Sequence, residues 1–213
     1  FIYGLAELQP SIIRKAHFIA NPGCFATAIQ LALLPLANQK KLHEEVHVSA
    51  ITGSTGAGAH LSSTTHFSWR SNNASVYKAF THQHLGEIRA SISSLQSKVP
   101  NIHFIPMRGA FTRGILAVCY QKIDAPEQEI KKWFHAYYSE APFIHLSEES
   151  ISVKQVINTN KALIHLEKVE NQVLVTVAID NLLKGASGQA VQNMNIMMGW
   201  DQQMGLTLKP SVF

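Results

Sequence analysis

Charge is scarce in this chain. Only 15% of its 213 residues are Asp, Glu, Lys or Arg, and the 18 Lys and Arg are scattered among 14 Asp and Glu. Scattered cations without interleaved aromatics exclude the basic stripe that nucleic acid requires. The mild positive balance that remains, a formal +4, favours small anionic substrates. Cysteine is scarcer still: Cys24 and Cys119 lie far apart in unlike contexts, so no disulfide framework is implied and a reducing cytoplasm fits. No apolar run approaches the ~18 residues of a membrane span. There is no internal repeat and no low-complexity tract. The chain opens on Phe1-Ile2-Tyr3-Gly4 without an initiator Met or a signal peptide, and it has no Gly-x-Gly-x-x-Gly after a strand to cradle a dinucleotide. These last absences read as a piece of a longer protein.

What is present reads as globular. Hydrophobic residues make up 46% of the sequence, and the length suits one large domain with a full core. A helix is expected from Cys24 to somewhere near Ala37–Lys40, with Pro35 able to kink it. Val46–Thr52 is a β-branched strand leading into the flexible run Gly53-Ser54-Thr55-Gly56-Ala57-Gly58. Residues 60–76 are polar and aperiodic, and read as one long loop. A helix follows over roughly Leu85–Lys98. Residues 102–106 and 112–121 are expected to be neighbouring strands, the second near the sheet centre. Pro126 opens an amphipathic helix with Ile130, Trp133, Phe134 and Tyr137 on one stripe. Residues 161–168 and 172–179 form a hairpin turning at Val169-Glu170-Asn171. Strands interspersed with helices in this order argue for an α+β fold.

The chemistry centres on Ala20-Asn21-Pro22-Gly23-Cys24-Phe25. A short strand feeds a Pro-Gly turn, and an apolar helix follows at once, so Cys24 falls in the first helical turn. Unpaired backbone N–H groups and the positive dipole end meet there. Such a position stabilises the thiolate and makes a nucleophile; the plain alternative is a small side chain plugging a turn. Cys119, inside the apolar strand Ile115–Tyr120, reads as packing. His82 and His84, two apart on an extended segment, would face the same way. Surface histidines and metal binding are both open readings, but no Cys or carboxylate at ligand spacing accompanies them. Arg108 and Arg113 flank a tight turn. The small residues at 185, 186 and 188 allow a helix start to approach a ligand or merely a packed neighbour.

Five separated motifs resemble, in order, those of the N-acetyl-γ-glutamyl-phosphate reductases. They are Tyr3-Gly4-Leu5; Pro22-Gly23-Cys24-Phe25 with Thr27-Ala28, Ala32-Leu33 and Pro35; Tyr77 with His82, His84, Glu87 and Ile88; Arg113-Gly114-Ile115; and Asn181 through Asn195. Gly86 and Met107 stand where that family commonly has Pro and His. The resemblance implies a glyceraldehyde-3-phosphate dehydrogenase-like catalytic domain: a mixed sheet with helices packed mainly on one face. That domain would span 1–213, and its 181–199 helix would pack on a missing N-terminal nucleotide-binding domain. It implies NADPH-dependent reduction of a small-molecule N-acyl-γ-glutamyl phosphate, in arginine biosynthesis, by a cytoplasmic homo-oligomer, dimer or tetramer, with no membrane or nucleic-acid partner.

The implied catalytic residues are Cys24, His84 and His82, with His84 favoured as acid/base. Those implied for the cofactor are Gly56, Gly58, Asn181, Lys184, Gly185 and Gly188, and for substrate Arg113, Arg108 and Asn21; no metal is implied. The chain alone, with half a nucleotide site, is expected to be inactive. Other classes are an aspartate-semialdehyde dehydrogenase-like reductase, a cysteine hydrolase, or a non-catalytic oligomerisation fragment.

Overall fold

The computed structural model describes residues 1–210. In chain order the elements begin with β1 (Ile2–Tyr3), α1 (Pro10–Ile13), β2 (Ile19–Ala20), α2 (Cys24–Asn38), β3 (Val46–Thr52), α3 (Phe67–Arg70), β4 (Ser75–Val76) and α4 (His84–Leu95). They continue with β5 (Ile102–Arg108), β6 (Ile115–Lys122), α5 (Glu127–Tyr137), β7 (Ile144–Ser147), β8 (Ala162–Val169) and β9 (Gln172–Ile179). A π-helical turn (Leu183–Ser187) then runs into α6 (Gly188–Met197). The main sheet has seven strands in the order β4-β5-β3-β6-β9-β8-β7, mixed parallel and antiparallel. This is the expected α+β architecture, with β6 at the centre of the sheet.

Helix α2 organises the core. Every residue from Phe25 to Ala37 is buried, as an apolar-all-round helix must be. It lies against β6, β8 and β9 and is flanked by α4 and α5. Pro35 neither ends nor breaks it. Proline has no N–H, so the Leu31 carbonyl one turn earlier loses its helical donor; the Tyr138 hydroxyl supplies one instead at 2.6 Å. The α5 stripe packs as expected, with Ile130 and Phe134 buried and Trp133 and Tyr137 against the same core. Among the described residues the other sheet face carries no comparable helix layer. There His47, Ser49 and Ile51 of β3 and Leu116 and Val118 of β6 are half-buried, alternating with core residues.

Two expectations about order and local structure need correction. Strands β5 and β6 are not neighbours: β3 lies between them, parallel to β5 and antiparallel to β6. The 109–114 connection crosses the end of β3, where the Gly53, Ser54 and Thr55 amides donate to the Gly114, Phe111 and Thr112 carbonyls. Residues 60–76 are not one loop either. They contain a 3₁₀ turn (Ser63–Thr65), α3, and β4 pairing with Met107 and Arg108. Arg70 gathers this segment, donating to the carbonyls of Arg108 (2.8 Å), Thr64 (3.2 Å) and Asn73 and to Ser75 Oγ. The two terminal nitrogens of one buried guanidinium thus serve the backbone of a whole excursion.

Candidate active site

Strands β3, β5 and β9 end at the same edge of the sheet where α2 begins, and an open cleft of about 750 Å³ occupies that edge. Cys24, His82 and His84 line it. So do Gly56 and Gly58 from the turn after β3, Arg108 from the end of β5, and Asn181 and Gly185 from the segment after β9. Residues remote in sequence therefore meet because three strand ends and one helix start coincide.

Cys24 is the first residue of α2, and its N-cap, Gly23, has extended dihedrals. Gly185 packs directly on it: a Cβ there would come within 2.8 Å of Cys24 Cβ. The expected stabilisation of the thiolate is present but outweighed. The N–H groups of Phe25 and Cys24 draw the pKa down, whereas burial, the largest effect, and the Glu87 charge push it above the ordinary thiol value. Cys119 has burial alone and is pushed up to about 12. Iodoacetamide titrated across roughly pH 6 to 9 is expected to alkylate Cys24 of the folded protein well before Cys119, because only the thiolate reacts. Equal labelling of the two sites would contradict this assignment.

The two histidines are not on an extended segment. Gln83 between them is helical, and His84 opens α4, so the rings are brought to 4.5 Å by a helix start instead of by strand alternation. Nor are they equivalent. His82 is buried among Phe25, Tyr77 and Phe104, and its Nδ1 accepts the His84 amide at 3.3 Å. His84 Nε2 points to the Pro22-Gly23 turn, so closely that a Cβ on Gly23 would collide with it. His84 Nδ1 is buried without a hydrogen-bond partner among the described residues. Burial, together with the nearby Lys78 charge, lowers both imidazoles to about 4. A protonated thiol and neutral imidazoles thus coexist at pH 7.

Other sequence candidates divide by where their polar atoms go. Arg108 reaches the cleft, its guanidinium 4.7 Å from the centre of the Tyr77 ring, with Nε buried and without a partner among the described residues. Asn181 is buried and fixes the cleft wall, accepting from the Gly114 amide (2.7 Å) and donating to Thr55 Oγ1 (3.1 Å). Asn21 lines the cleft, but its amide is occupied by the Ala186 carbonyl and Asn193.

Three candidates do not join the cleft. Arg113 holds Asp180 in a two-point pair at 3.0 and 3.1 Å. Lys184 is wholly buried, 2.6 Å from Glu7 and 2.8 Å from Gln192. Gly188 abuts Asn160, with no room for a Cβ. In each case the residue type matched a ligand role while the fold directed its atoms inward.

Sequence reasoning missed Thr52, which lines the cleft with a buried hydroxyl that has no partner among the described residues, and passed over Glu87 as a motif match. Glu87 stands three positions after His84 in the first turn of a helix, a spacing that places the two on one face. Thr52 had no comparable signal.

For a nicotinamide, the donor set is partial. Gly56 and Gly58 expose backbone along the cleft and buried Gly185 lines its wall, and a Cβ on Gly58 would meet nothing within 4 Å, so the cleft is open beside that turn. Lys184 is not free to meet a phosphate. Among the described residues no group of three or more His, Cys, Asp or Glu is placed to hold a metal, and no helix is long and apolar enough to cross a membrane.

A family model described as semialdehyde dehydrogenase, dimerisation domain, matches residues 24–181. The chain is 55% identical over 214 aligned residues to the N-acetyl-gamma-glutamyl-phosphate reductase of Christiangramia forsetii, covering all of this chain and 67% of that protein. It is 53% identical to the same-named protein of Parabacteroides distasonis, covering 66% of it. The chain thus spans about two thirds of the length of these relatives. Among solved structures, aspartate semialdehyde dehydrogenase II from Vibrio cholerae, complexed with ASA, superposes with a TM-score of 0.70 at 15% identity. The match covers 92% of this chain and 68% of that one. The enzyme from Francisella tularensis gives 0.68 at 13%. At such identities these neighbours speak to the fold.

Proposed function

The chain belongs to the N-acetyl-γ-glutamyl-phosphate reductase family, and from that premise we propose that it carries the catalytic machinery for NADPH-dependent reduction of an N-acyl-γ-glutamyl phosphate to the semialdehyde, a step of arginine biosynthesis. The observation that carries this reading is the contact of a helix-start cysteine turn with a neutral imidazole, His84 Nε2 against Gly23, in one open cleft.

The resting pair is thiol and imidazole, not an ion pair, since burial raises the one and lowers the other. Proton transfer therefore accompanies attack: His84 takes the Cys24 proton as the sulfur bonds to the acyl carbon. The carbon–oxygen bond to phosphate breaks and a Cys24 thioester remains. The unpaired N–H groups at the start of α2 stand beside the sulfur and receive the negative oxygen. A bound nicotinamide supplies the hydride that reduces this acyl group. His84 then manages the proton as Cys24 departs. His82, boxed by aromatic rings and bonded to the His84 amide, orients its neighbour. Gly56, Gly58, Gly185 and Asn181 shape the wall for the ring, and the remainder of the nucleotide site lies in the part of the relatives outside this chain.

The half-buried sheet face opposite α2 is where a second copy docks, in keeping with a dimerisation-domain match. The direct test is NADPH oxidation by the full-length protein given N-acylglutamyl phosphate, against aspartyl phosphate as the alternative. Turnover of the second only would shift the assignment to the aspartate-semialdehyde branch.

Arg108 reaches the cleft with an Nε that has no partner among the described residues and a face braced on Tyr77. A planar fork of this kind suits a carboxylate, such as the tail of a succinyl group in place of acetyl. Arg108→Ala is expected to lower kcat/KM for the succinyl substrate about ten- to a hundredfold more than for the acetyl one. An equal effect on both substrates shows that Arg108 does not read the acyl tail.

A further inference from the structure

Lys78 takes no part in the chemistry above, and it is not one of the positions matched in the Tyr77-to-Ile88 motif. It lines the cleft all the same. Among the described residues, Lys78 and Arg108 are the charged side chains that do so, and no carboxylate joins them. The Lys78 backbone is held in the left-handed region, φ 47°, which a residue with a long side chain adopts only where its surroundings fix it. They do so here: the Tyr77 and Phe80 amides donate to the Pro106 and Phe104 carbonyls of β5, and the Lys78 carbonyl accepts the Thr81 amide. The exposed ammonium donates to Gln83 Oε1 at 3.3 Å, a bond that engages one of its three N–H groups. The two cations serve different parts of the cleft. The Arg108 guanidinium lies against Tyr77, and its charge acts on that phenol. The Lys78 charge acts on His82 and His84, the imidazoles beside the cysteine turn.

We propose that Lys78 binds the phosphate of the substrate and holds it as it leaves. The inference rests on the function proposed above. That substrate brings two kinds of anion into the cleft, carboxylate and phosphate. Its acyl carbon must come within bonding reach of Cys24 and beside His84. The phosphate, one bond away, then lies on the histidine side, where Lys78 is the cation at hand. A compact ammonium with three rotatable donors suits a phosphate, whereas the planar fork of Arg108 suits a carboxylate. When the carbon–oxygen bond breaks, both electrons stay with the oxygen, and the charge that gathers there falls against Lys78. Gln83 holds the ammonium in place between turnovers and gives it up to the incoming anion.

Run in reverse, the reaction consumes inorganic phosphate, and this isolates the contact. The full-length enzyme is given the N-acylglutamate semialdehyde, NADP+ and inorganic phosphate, and the KM of each is measured. Lys78→Met keeps the length of the side chain and removes its charge. Its KM for phosphate is expected to rise about tenfold, with KM for the semialdehyde within about twofold of wild type and Tm within about 2 °C. Lys78→Arg keeps a cation and is expected to hold KM for phosphate within about threefold of wild type. An unchanged KM for phosphate in Lys78→Met would overturn the proposal. So would equal rises in both KM values, which mark a general disturbance of the cleft, or a Lys78→Arg variant no better than Lys78→Met. A wild-type enzyme that forms no NADPH from the semialdehyde would instead remove the functional reading and this inference with it, a result the wild-type control tells apart.

Discussion

Replacing Cys24 by serine lowers kcat of the full-length protein by at least about a thousandfold, the scale seen when a covalent nucleophile is removed while the rest of a site remains. That is ~4 kcal/mol of transition-state stabilisation. The hydroxyl is nearly isosteric, and Cys24 is only partly buried, packed against Gly185 and the core, so the circular dichroism spectrum and Tm stay close to wild type. Substrate binding survives as well, because Arg108 and the cleft walls are untouched. The chemistry fails because serine at pH 7 is far harder to deprotonate than a thiol, and a neutral imidazole lowered to about 4 is a weak base for it. Steady-state kinetics beside thermal melts decide the matter: turnover within about tenfold of wild type, with the fold intact, ends the nucleophile assignment.

The largest loss of stability is expected at Lys184. Its ammonium is fully buried against Glu7, whose side chain is 1% exposed, and Glu7 Oε2 has no partner among the described residues. Lys184→Ala strands that carboxylate in the interior. Breaking a buried pair from one side costs about 3–5 kcal/mol, or roughly 6–20 °C in Tm for a domain of this size. Replacing both members at once, Lys184→Met with Glu7→Leu, removes the stranded charge and restores most of the loss. A single variant melting within about 2 °C of wild type would show that the pair contributes little. Because Gly185 follows Lys184 and packs on Cys24, the destabilised variant also loosens the wall behind the nucleophile.

Much of this architecture was legible in the residues, and the misses share a cause. Helices α2 and α5 and the β8–β9 hairpin announce themselves through local period and punctuation, which the chain carries within a dozen residues. Which strand lies beside which is a non-local matter. Nothing in 102–121 indicates that β3 inserts between β5 and β6, since the ladders deciding it come from the distant residues Val46–Thr52. Elements of two to four residues, such as β1, β2, α1 and β7, are too short for any period.

At the site, residue type pointed to the cysteine, both histidines and Gly56, Gly58 and Gly185, which the fold does bring to one cleft, and to Gly188, which it does not. Type cannot give direction. Lys184 and Arg113 satisfy buried carboxylates on Glu7 and Asp180 instead of facing a ligand. The helix-start rule also named the correct donors at Cys24 but not the burial that outweighs them.

The Tyr138 hydroxyl on the Leu31 carbonyl reaches across 107 positions of sequence, and this sets an order of assembly. While the chain is being synthesised, α2 emerges long before α5, with a carbonyl that Pro35 has left without a donor and that only water can serve. An apolar helix with such an opening is most exposed to misassociation during that interval. In native-state hydrogen exchange, the last turns of α2 and the end of α5 are expected to open together as one cooperative unit.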